Sequence, residues 1–402
     1  MAKKLKIDWL MFAVTAALAF FGAIMVYSSS AIISMTETGG ATQFAFFYKQ
    51  FAATLLGLAV MYLTSKIHYK WYQRPFFVFG FFALTVVLLI SVFTFPPING
   101  AQRWIRLAGF SFQPSEFAKI ALPVFLAYFL TRNEEVVGEV KETLLPCSLI
   151  FAFLAGLVFF EPDLGTVIVL CAIFVAVYFA AGARILHLAS ISTLLFIAGT
   201  LALVLAPWRL SRLSAFLEPC SEENKQNAGY QVCQSLMGIG SGGILGEGFA
   251  MGQQKMGYLP YPYSDFIFAI VGEELGLVGT LAVVFAFGFL LWRGTRAALL
   301  APDRFGMLLG MGLITGIIVQ ALFNISVVIS ILPAKGIPLP FISYGGSSII
   351  VTMFAVGILL NISQHAGFIS FEKGLHTTRT PRKKKPAVRK HRSPKTTRGS
   401  MR

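Results

Sequence analysis

The sequence predicts an all-α, polytopic membrane protein, and three observations carry that fold class. Of 402 residues, 56% are hydrophobic and only 13% charged, whereas soluble domains run near a quarter charged. Mean hydropathy is +0.72. Apolar runs of roughly 17–25 residues, enough to cross a bilayer as helices, recur about ten times. The formal net charge of +15 could belong to a nucleic-acid binder, but its distribution excludes that class. Lys373 to Arg402 hold twelve Lys and Arg and no acid, so the remainder of the chain carries only +3. The division is therefore a membrane domain over 1–365 and a disordered, basic cytoplasmic tail over 366–402, too polar to bury a core.

The spans fall near 9–29, 50–65, 76–95, 113–131, 144–160, 164–182, 186–206, 266–292, 305–330 and 345–363. The first follows "MAKKLKID" and has the charge pattern of a signal peptide. Its apolar run exceeds a signal core and more spans follow, so it reads as an anchor. One set of connections holds Lys3, Lys4, Lys6, Lys66, Lys70, Arg74, Arg132, Lys141, Arg184, Arg293, Arg296, Arg304 and the tail. The opposite set holds Lys49, Arg103, Arg106, Arg209, Arg212, Lys225, Lys255 and Lys335. The excess of positive charge assigns both termini to the cytoplasm. The longest loop, about 207–264, then faces outward, and Asp265 stands at the outer mouth of the eighth span.

Charges in apolar runs need a reason, since each costs several kcal/mol in hydrocarbon. "FQPSEFAKIAL" opens the fourth span with Pro114 in the first turn. Its Glu116 and Lys119, spaced i,i+3, share one helix face and can pair. "FFEPDLGTV" is a very short turn between the fifth and sixth spans, holding Glu161 and Asp163. "NGAQRWIRL" supplies Arg103 and Arg106; "LPAKGIPLPFISYGG" supplies Lys335 on a backbone broken by Pro and Gly. Irregular backbone at membrane depth is tolerated only where it lines a cavity or is buried in protein. These segments and Asp265 converge on one outward-facing polar cavity.

Plainer readings stand beside this one. Glu116 and Lys119 equally suit a structural pair locking two helices. Glu161 and Asp163 suit capping of the sixth span, because acids favour a helix N-terminus. Glu273 and Glu274 lie about 12 Å below Asp265 and point about 100° apart, which argues against one shared role and for packing. Asp265 is different, because it follows a Pro-rich turn at the membrane boundary, beside the large outer loop. "GIGSGG" fits a dinucleotide fingerprint only as letters, since no strand-to-helix unit surrounds it. The histidines fall on inner segments or near the inner face, which excludes a Ser/His/Asp set and a His/Cys metal site. Cys147 and Cys171 read as core packing. Cys220 and Cys233 share the outer loop, where oxidising conditions would allow a bridge.

The stretches "NGAQRWIRLAGFSFQPSEFAKIAL", "EPDLGT", "RLSAFLEP", "GYQVCQSLMGIGSGGILGEGFAMGQQKMGYLP", "SDFIFAIVGEELGLVG" and "LPAKGIPLPFISYGGSS" run in order over about residues 10–363. On these residues the chain resembles the SEDS family (shape, elongation, division and sporulation) of bacterial cell-wall polymerases. "QQKMGYLP" and "LPAKGIPLPFISYGG" look more like its division members than its elongation members. "YPYSDFIF" departs from the pattern, because the family often has a His-Thr pair before the aspartate. The cysteine pair and the basic tail lie outside the pattern as well.

The resemblance implies a peptidoglycan glycosyltransferase of the cytoplasmic (inner) membrane, acting on lipid II at the outer face, with a septal role in cell division. Lipid II is a disaccharide-pentapeptide on undecaprenyl diphosphate. The family's catalytic aspartate maps onto Asp265. The candidate substrate-binding residues are Arg103, Arg106, Glu116, Lys119, Asp163, Lys255 and Lys335, with the glycine-rich run "GIGSGGILGEGFAMGQQK" offering backbone N–H groups and a mobile cover. Expected partners are a class B penicillin-binding protein, other division proteins and the membrane, with no nucleic acid. No organic cofactor is expected. A divalent cation, Mg or Mn, is the one candidate cofactor. The competing readings are a lipid II flippase and a non-catalytic division scaffold. The charges cluster at one end rather than at a midplane site between repeats, which disfavours transport.

Overall fold

The computed structural model describes residues 6–97, 101–107, 110–187, 189–190, 193, 199–200, 215–222, 224, 226–227 and 229–365. Its elements are α1 (Trp9–Glu37), α2 (Ala45–Lys66), α3 (Pro75–Ser91), β1 (Ile105–Leu107), β2 (Phe110–Phe112), α4 (Ser115–Arg132), α5 (Leu145–Phe160), α6 (Leu164–Ala180), α7 (Tyr230–Gly242), α8 (Ile267–Leu299), α9 (Arg304–Val328) and α10 (Gly346–Ser363). The all-α polytopic expectation holds. Seven of the described helices are long and apolar enough to cross a membrane. The charged α4 and the 17-residue α6 pack among them. The span expected at 186–206 falls largely outside the described residues, as do Lys225 and the basic tail.

Local sequence sets the helix starts. Asp8, Asp163 and Asp303 are the N-caps of α1, α6 and α9, each accepting a bond from a first-turn N–H. Such caps satisfy donors the helix cannot, and a carboxylate there also meets the positive end of the dipole. Pro75 and Pro146 open α3 and α5, where a missing N–H costs nothing. α1 runs eight residues beyond its expected end. Ser29 and Ser30 bond back to the carbonyls of Met25 and Val26, at 2.8 and 2.6 Å, so the serine run does not stop the helix.

α9 and α10 form the centre, with 72% of their most apolar windows buried, against 28% and 22% for the peripheral α2 and α3. At one end of the bundle Arg293 holds Asp8 at 2.6 Å, Tyr69 and Lys70 hold Asp303, and the Tyr69 N–H donates to Asn361 at 2.8 Å. These contacts gather both described ends of the chain on the side that the Lys/Arg count assigns to the cytoplasm. The α5–α6 turn, the 332–345 segment and the approach to α8 gather at the other end. There β1 and β2 add a small antiparallel ribbon, Arg106 opposite Ser111, which the all-α reading did not include.

The outer loop is not a loose cover. α7 lies inside it, against α8, and Cys220 is bridged to Cys233 across its start. α8 is broken at Gly276, with φ 64° and ψ −159°. Residues 243–248 fill the break. Leu277 and Val278 donate to the carbonyls of Gly243 and Ile244 at 2.9 and 3.2 Å. Glu247 and Gly248 donate to those of Glu273 and Glu274 at 2.9 and 3.1 Å. The backbone bonds a straight helix would make are thus exchanged with a neighbouring segment. A Cβ at Gly276 would sit 2.4 Å from the Gly246 nitrogen, so close approach as well as positive φ requires glycine.

Candidate active site at the outer end of the bundle

Asp265 sits one residue before the helix-capping Phe266, held by its backbone rather than its side chain. Its carbonyl accepts from Asn324 Nδ2 at 2.7 Å, and the same amide reaches the Ile337 carbonyl at 2.7 Å. Next door, Ser343 Oγ donates to the Ser264 carbonyl at 2.7 Å, and the Tyr344 N–H donates to Tyr263 at 2.9 Å. Gln50 of α2 locks the same segment, donating to the Ser343 carbonyl at 3.1 Å. The carboxyl itself accepts one side-chain bond, from Ser264 Oγ at 3.0 Å. It lies against Gly336, where an added Cβ would come within 2.6 Å of Oδ2 and push the carboxyl aside. Burial pushes its pKa up from 3.8 to about 6, the Ser264 bond and the Arg103 charge opposing and the Asp163 charge assisting.

The other candidates divide into three groups. Arg103 donates Nε to the Glu161 carbonyl at 3.1 Å and Nη2 to that of Pro162, which fixes a cation beside the acids. Glu161 is fully buried, with no hydrogen-bond partner among the described residues on either carboxyl oxygen. Burial, then the Asp163 charge, raises its pKa to about 9 against the pull of Arg103, so it is a neutral acid at physiological pH. Asp163 accepts from Thr166 N at 3.1 Å, Thr166 Oγ1 at 2.8 Å, Gln113 Nε2 at 3.0 Å and Ser115 Oγ at 3.2 Å. The cap therefore also bolts α6 to the start of α4. Arg106 is exposed on β1 and Lys335 half-buried next to Gly336.

Second, Glu116 and Lys119 pair at 2.7 Å, with side chains 2% and 10% exposed. Lys119 also donates to Gln320, whose amide reaches the Pro338 carbonyl at 2.9 Å. Gln320 and Asn324, one turn apart on α9, therefore connect the Glu116–Lys119 pair to the segment that backs Asp265. Neither was a sequence candidate. Their signal is two amides at i,i+4 in the apolar run "VQALFN", a spacing that puts both on one helix face. The Glu116–Lys119 pair, Gln320 and Thr352 also line a small cavity against Val351 and Ala355.

Third, Lys255 is drawn into the protein. Only 6% exposed, it binds Glu274 Oε1 at 2.6 Å and Ser28 Oγ at 2.9 Å. Ser28 and the Ala250 N–H complete the Glu274 carboxylate at 2.6 to 3.0 Å. Glu273 accepts the N–H groups of Gln253 and Gln254, the shortest at 2.7 Å. This corrects two expectations. The glycine-rich run spends its N–H groups on Glu273 and Glu274 rather than presenting them to a ligand. The two glutamates, though they point apart, do share one role, because the 247–256 segment wraps across both.

For a divalent cation, no group of three His, Cys, Asp or Glu side chains converges among the described residues. The carboxylate of Asp163 is already taken by four donors and burial holds Glu161 in its neutral form, which leaves Asp265 as the ionised acid with lone pairs to offer. The residues fit only a cation that arrives mostly ligated by phosphate, the usual habit of Mg²⁺.

Residues 8–367 match the family model FtsW/RodA/SpoVE, described as "Cell cycle protein". A Geobacter metallireducens protein named "Probable peptidoglycan glycosyltransferase FtsW" is 38% identical over 361 residues, 89% of this chain and 94% of that one. Stage V sporulation protein E of Bacillus subtilis is 38% identical over 372 residues, 91% of this chain and 99% of its own. In structure, the chain is similar to one solved under the heading "Structural coordination of polymerization and crosslinking by a peptidoglycan synthase complex", with TM-score 0.72 and 26% identity over 90% of this chain and 99% of that one. It is also similar to the Thermus thermophilus rod shape determining protein RodA, with TM-score 0.65 and 26% identity over 89% of this chain and 97% of that one. An α-helical membrane bundle with Glu161, Asp163 and Asp265 gathered at one mouth thus defines the class. The chain belongs to the FtsW/RodA/SpoVE family.

Proposed function

We propose that this membrane protein is a peptidoglycan glycosyltransferase that polymerises lipid II at the outer face of the cytoplasmic membrane, serving septal wall synthesis in cell division. The observation that carries the reading is Asp265, an acid at the bundle mouth with its backbone locked and its carboxyl accepting a single side-chain bond. A pKa near 6 is matched to general base work at neutral pH, ionised yet basic enough to take a proton. In the proposed step a glycosidic bond forms between the acceptor hydroxyl oxygen and the donor's anomeric carbon. The bond from that carbon to the diphosphate oxygen breaks, and Asp265 takes the hydroxyl proton.

The diphosphate departs with its electron pair and needs positive charge. Arg103, fixed on the α5–α6 turn, supplies it, with Arg106 and Lys335 on neighbouring segments. A divalent cation brought in by the diphosphate would neutralise further charge there, with Asp265 as its protein ligand. The substrate's lipid remains in the bilayer, which accounts for a site at a helix mouth. Asp163, Glu116 and Lys119 act in this scheme as the frame beneath the base.

Asp265→Asn keeps shape and hydrogen bonding but loses basicity. Reconstituted with a class B penicillin-binding protein and lipid II, this variant should fold, bind its partner and polymerise roughly 10²-fold more slowly. A folded, partner-bound variant near wild-type rate removes Asp265 from the chemistry. Lipid II transport by the wild type without any glycan product would favour a flippase.

A further inference from the structure

Beside Asp265 lies a group of aromatic rings that the proposed chemistry leaves unused. Tyr263 packs edge-on against Tyr344 at 5.6 Å and tilted against Phe46 at 4.8 Å, and Phe46 meets Tyr344 at 5.1 Å. Tyr261 adds a fourth ring, edge-on to Tyr263 at 6.4 Å and 49% exposed. Tyr261 holds φ at 53°, the left-handed region that a bulky residue rarely enters. Such strain persists only where the surroundings impose it, and it gathers at ligand sites.

A membrane-interface belt is the plainer explanation of tyrosines at a helix mouth. Three observations point away from it. Tyr263 and Tyr344 are joined by a backbone bond and sit on the two segments, 261–265 and 343–345, that position Asp265. They are partly buried in a packed cluster rather than spread round the perimeter. The charges facing them are acidic: Glu37 and Asp265 both act on the Tyr263 phenol, and Glu37 on that of Tyr344. Acids on this rim disfavour lipid phosphates, whereas the cations that would meet the substrate's diphosphate, Arg103, Arg106 and Lys335, lie on other segments. A neutral, hydroxyl-rich ring with an apolar face is what such a surface accepts.

Resting on the glycosyltransferase reading, we propose that Tyr261, Tyr263 and Tyr344, backed by Phe46, form a sugar-stacking subsite that holds the glycan strand next to Asp265. The rings would take the apolar faces of the pyranoses, and the half-buried Ser264 a sugar hydroxyl. The platform positions the strand and takes no part in proton transfer.

The test is binding without turnover. Lipid-free, uncrosslinked glycan oligomers of alternating N-acetylglucosamine and N-acetylmuramic acid are titrated into the full-length protein in detergent, observed by saturation-transfer NMR. The wild type and Asp265→Asn should both bind. Tyr261→Ala, and Tyr263→Leu with Tyr344→Leu, should each weaken binding about tenfold, the scale of one lost aromatic contact. Tyr263→Phe should bind like the wild type, because the ring and not the hydroxyl is stacked. With lipid II, the half-exposed Tyr261→Ala variant should raise KM and shorten the strands while kcat stays within about twofold, at unchanged thermal stability. Oligomer binding that ignores the leucine and alanine variants, or its absence in the wild type, overturns the subsite. Wild-type binding without polymerisation would keep the subsite and refute the chemistry, so the two failures are separable.

Discussion

Two carboxyl groups nine residues apart, Asp265 above α8 and Glu274 within it, differ in how many donors reach them. Glu274 accepts from Ser28, Lys255 and the Ala250 N–H, in a fully buried site. Among the described residues, Asp265 accepts from Ser264 alone, and it remains partly open at the bundle mouth. The protein spends hydrogen bonds on the first group and withholds them from the second. A saturated carboxylate is a fastener: its lone pairs are used and its charge is paired. An under-supplied one keeps lone pairs and a raised pKa, which is what proton transfer requires.

The largest effect should come from breaking the fastener. Lys255→Met or Glu274→Gln leaves an uncompensated partner in a dry site, and should cost about 3–5 kcal/mol of stability. Thermal unfolding in detergent should show the double variant recovering much of that loss. If the double is as unstable as the singles, the pair is not what holds the outer loop, and the contrast with Asp265 weakens.

A smaller, pH-dependent effect should mark Asp265. Its folded pKa of about 6 lies above its ordinary 3.8. The folded protein therefore binds the proton more tightly, and ionisation opposes folding as pH rises through 4 to 6. Asp265→Asn should accordingly be more stable than the wild type at pH 7.5, with the difference fading below about pH 4. Wild-type polymerisation should fall as pH drops through about 6. A pH-independent rate across that window would mean that Asp265 is not the titrating base.

The smallest effect should be at Glu161. With a pKa near 9 it is already protonated at pH 7, so Glu161→Gln replaces one neutral group by another of the same shape. Activity and melting temperature should barely move. A marked loss in either would show Glu161 working as an anion and would place a second charge in the site.

Much of this was legible in the sequence because hydropathy and Lys/Arg position are local signals. Most of the spans and the gathering of Arg103, Asp163 and Asp265 at one mouth follow from them. The Cys220–Cys233 bridge was an open possibility that only the fold could decide. The role of "GILGEGFAMGQQK" was not legible, because its partners lie in α8 and, through Ser28, in α1. Lys255 read as an outer-loop cation for the same reason: nothing nearby in sequence announces Ser28, 227 positions away. The amides of Gln320 and Asn324 were present to be read, but without charge they do not demand a partner in hydrocarbon as an acid or a lysine does.

The interruption at Gly276 has a consequence for how the chain is made. An isolated span leaving the translocation machinery cannot keep such a break, since each backbone group bared to hydrocarbon costs several kcal/mol. It is tolerated only with residues 243–248 exchanging four bonds across it. That segment precedes α8 in the chain, so it is made first and stands ready as a splint when the broken helix emerges. A variant with this segment excised would tend to heal into a straight rod, turning the upper part of α8 and carrying Asp265 out of register with Arg103.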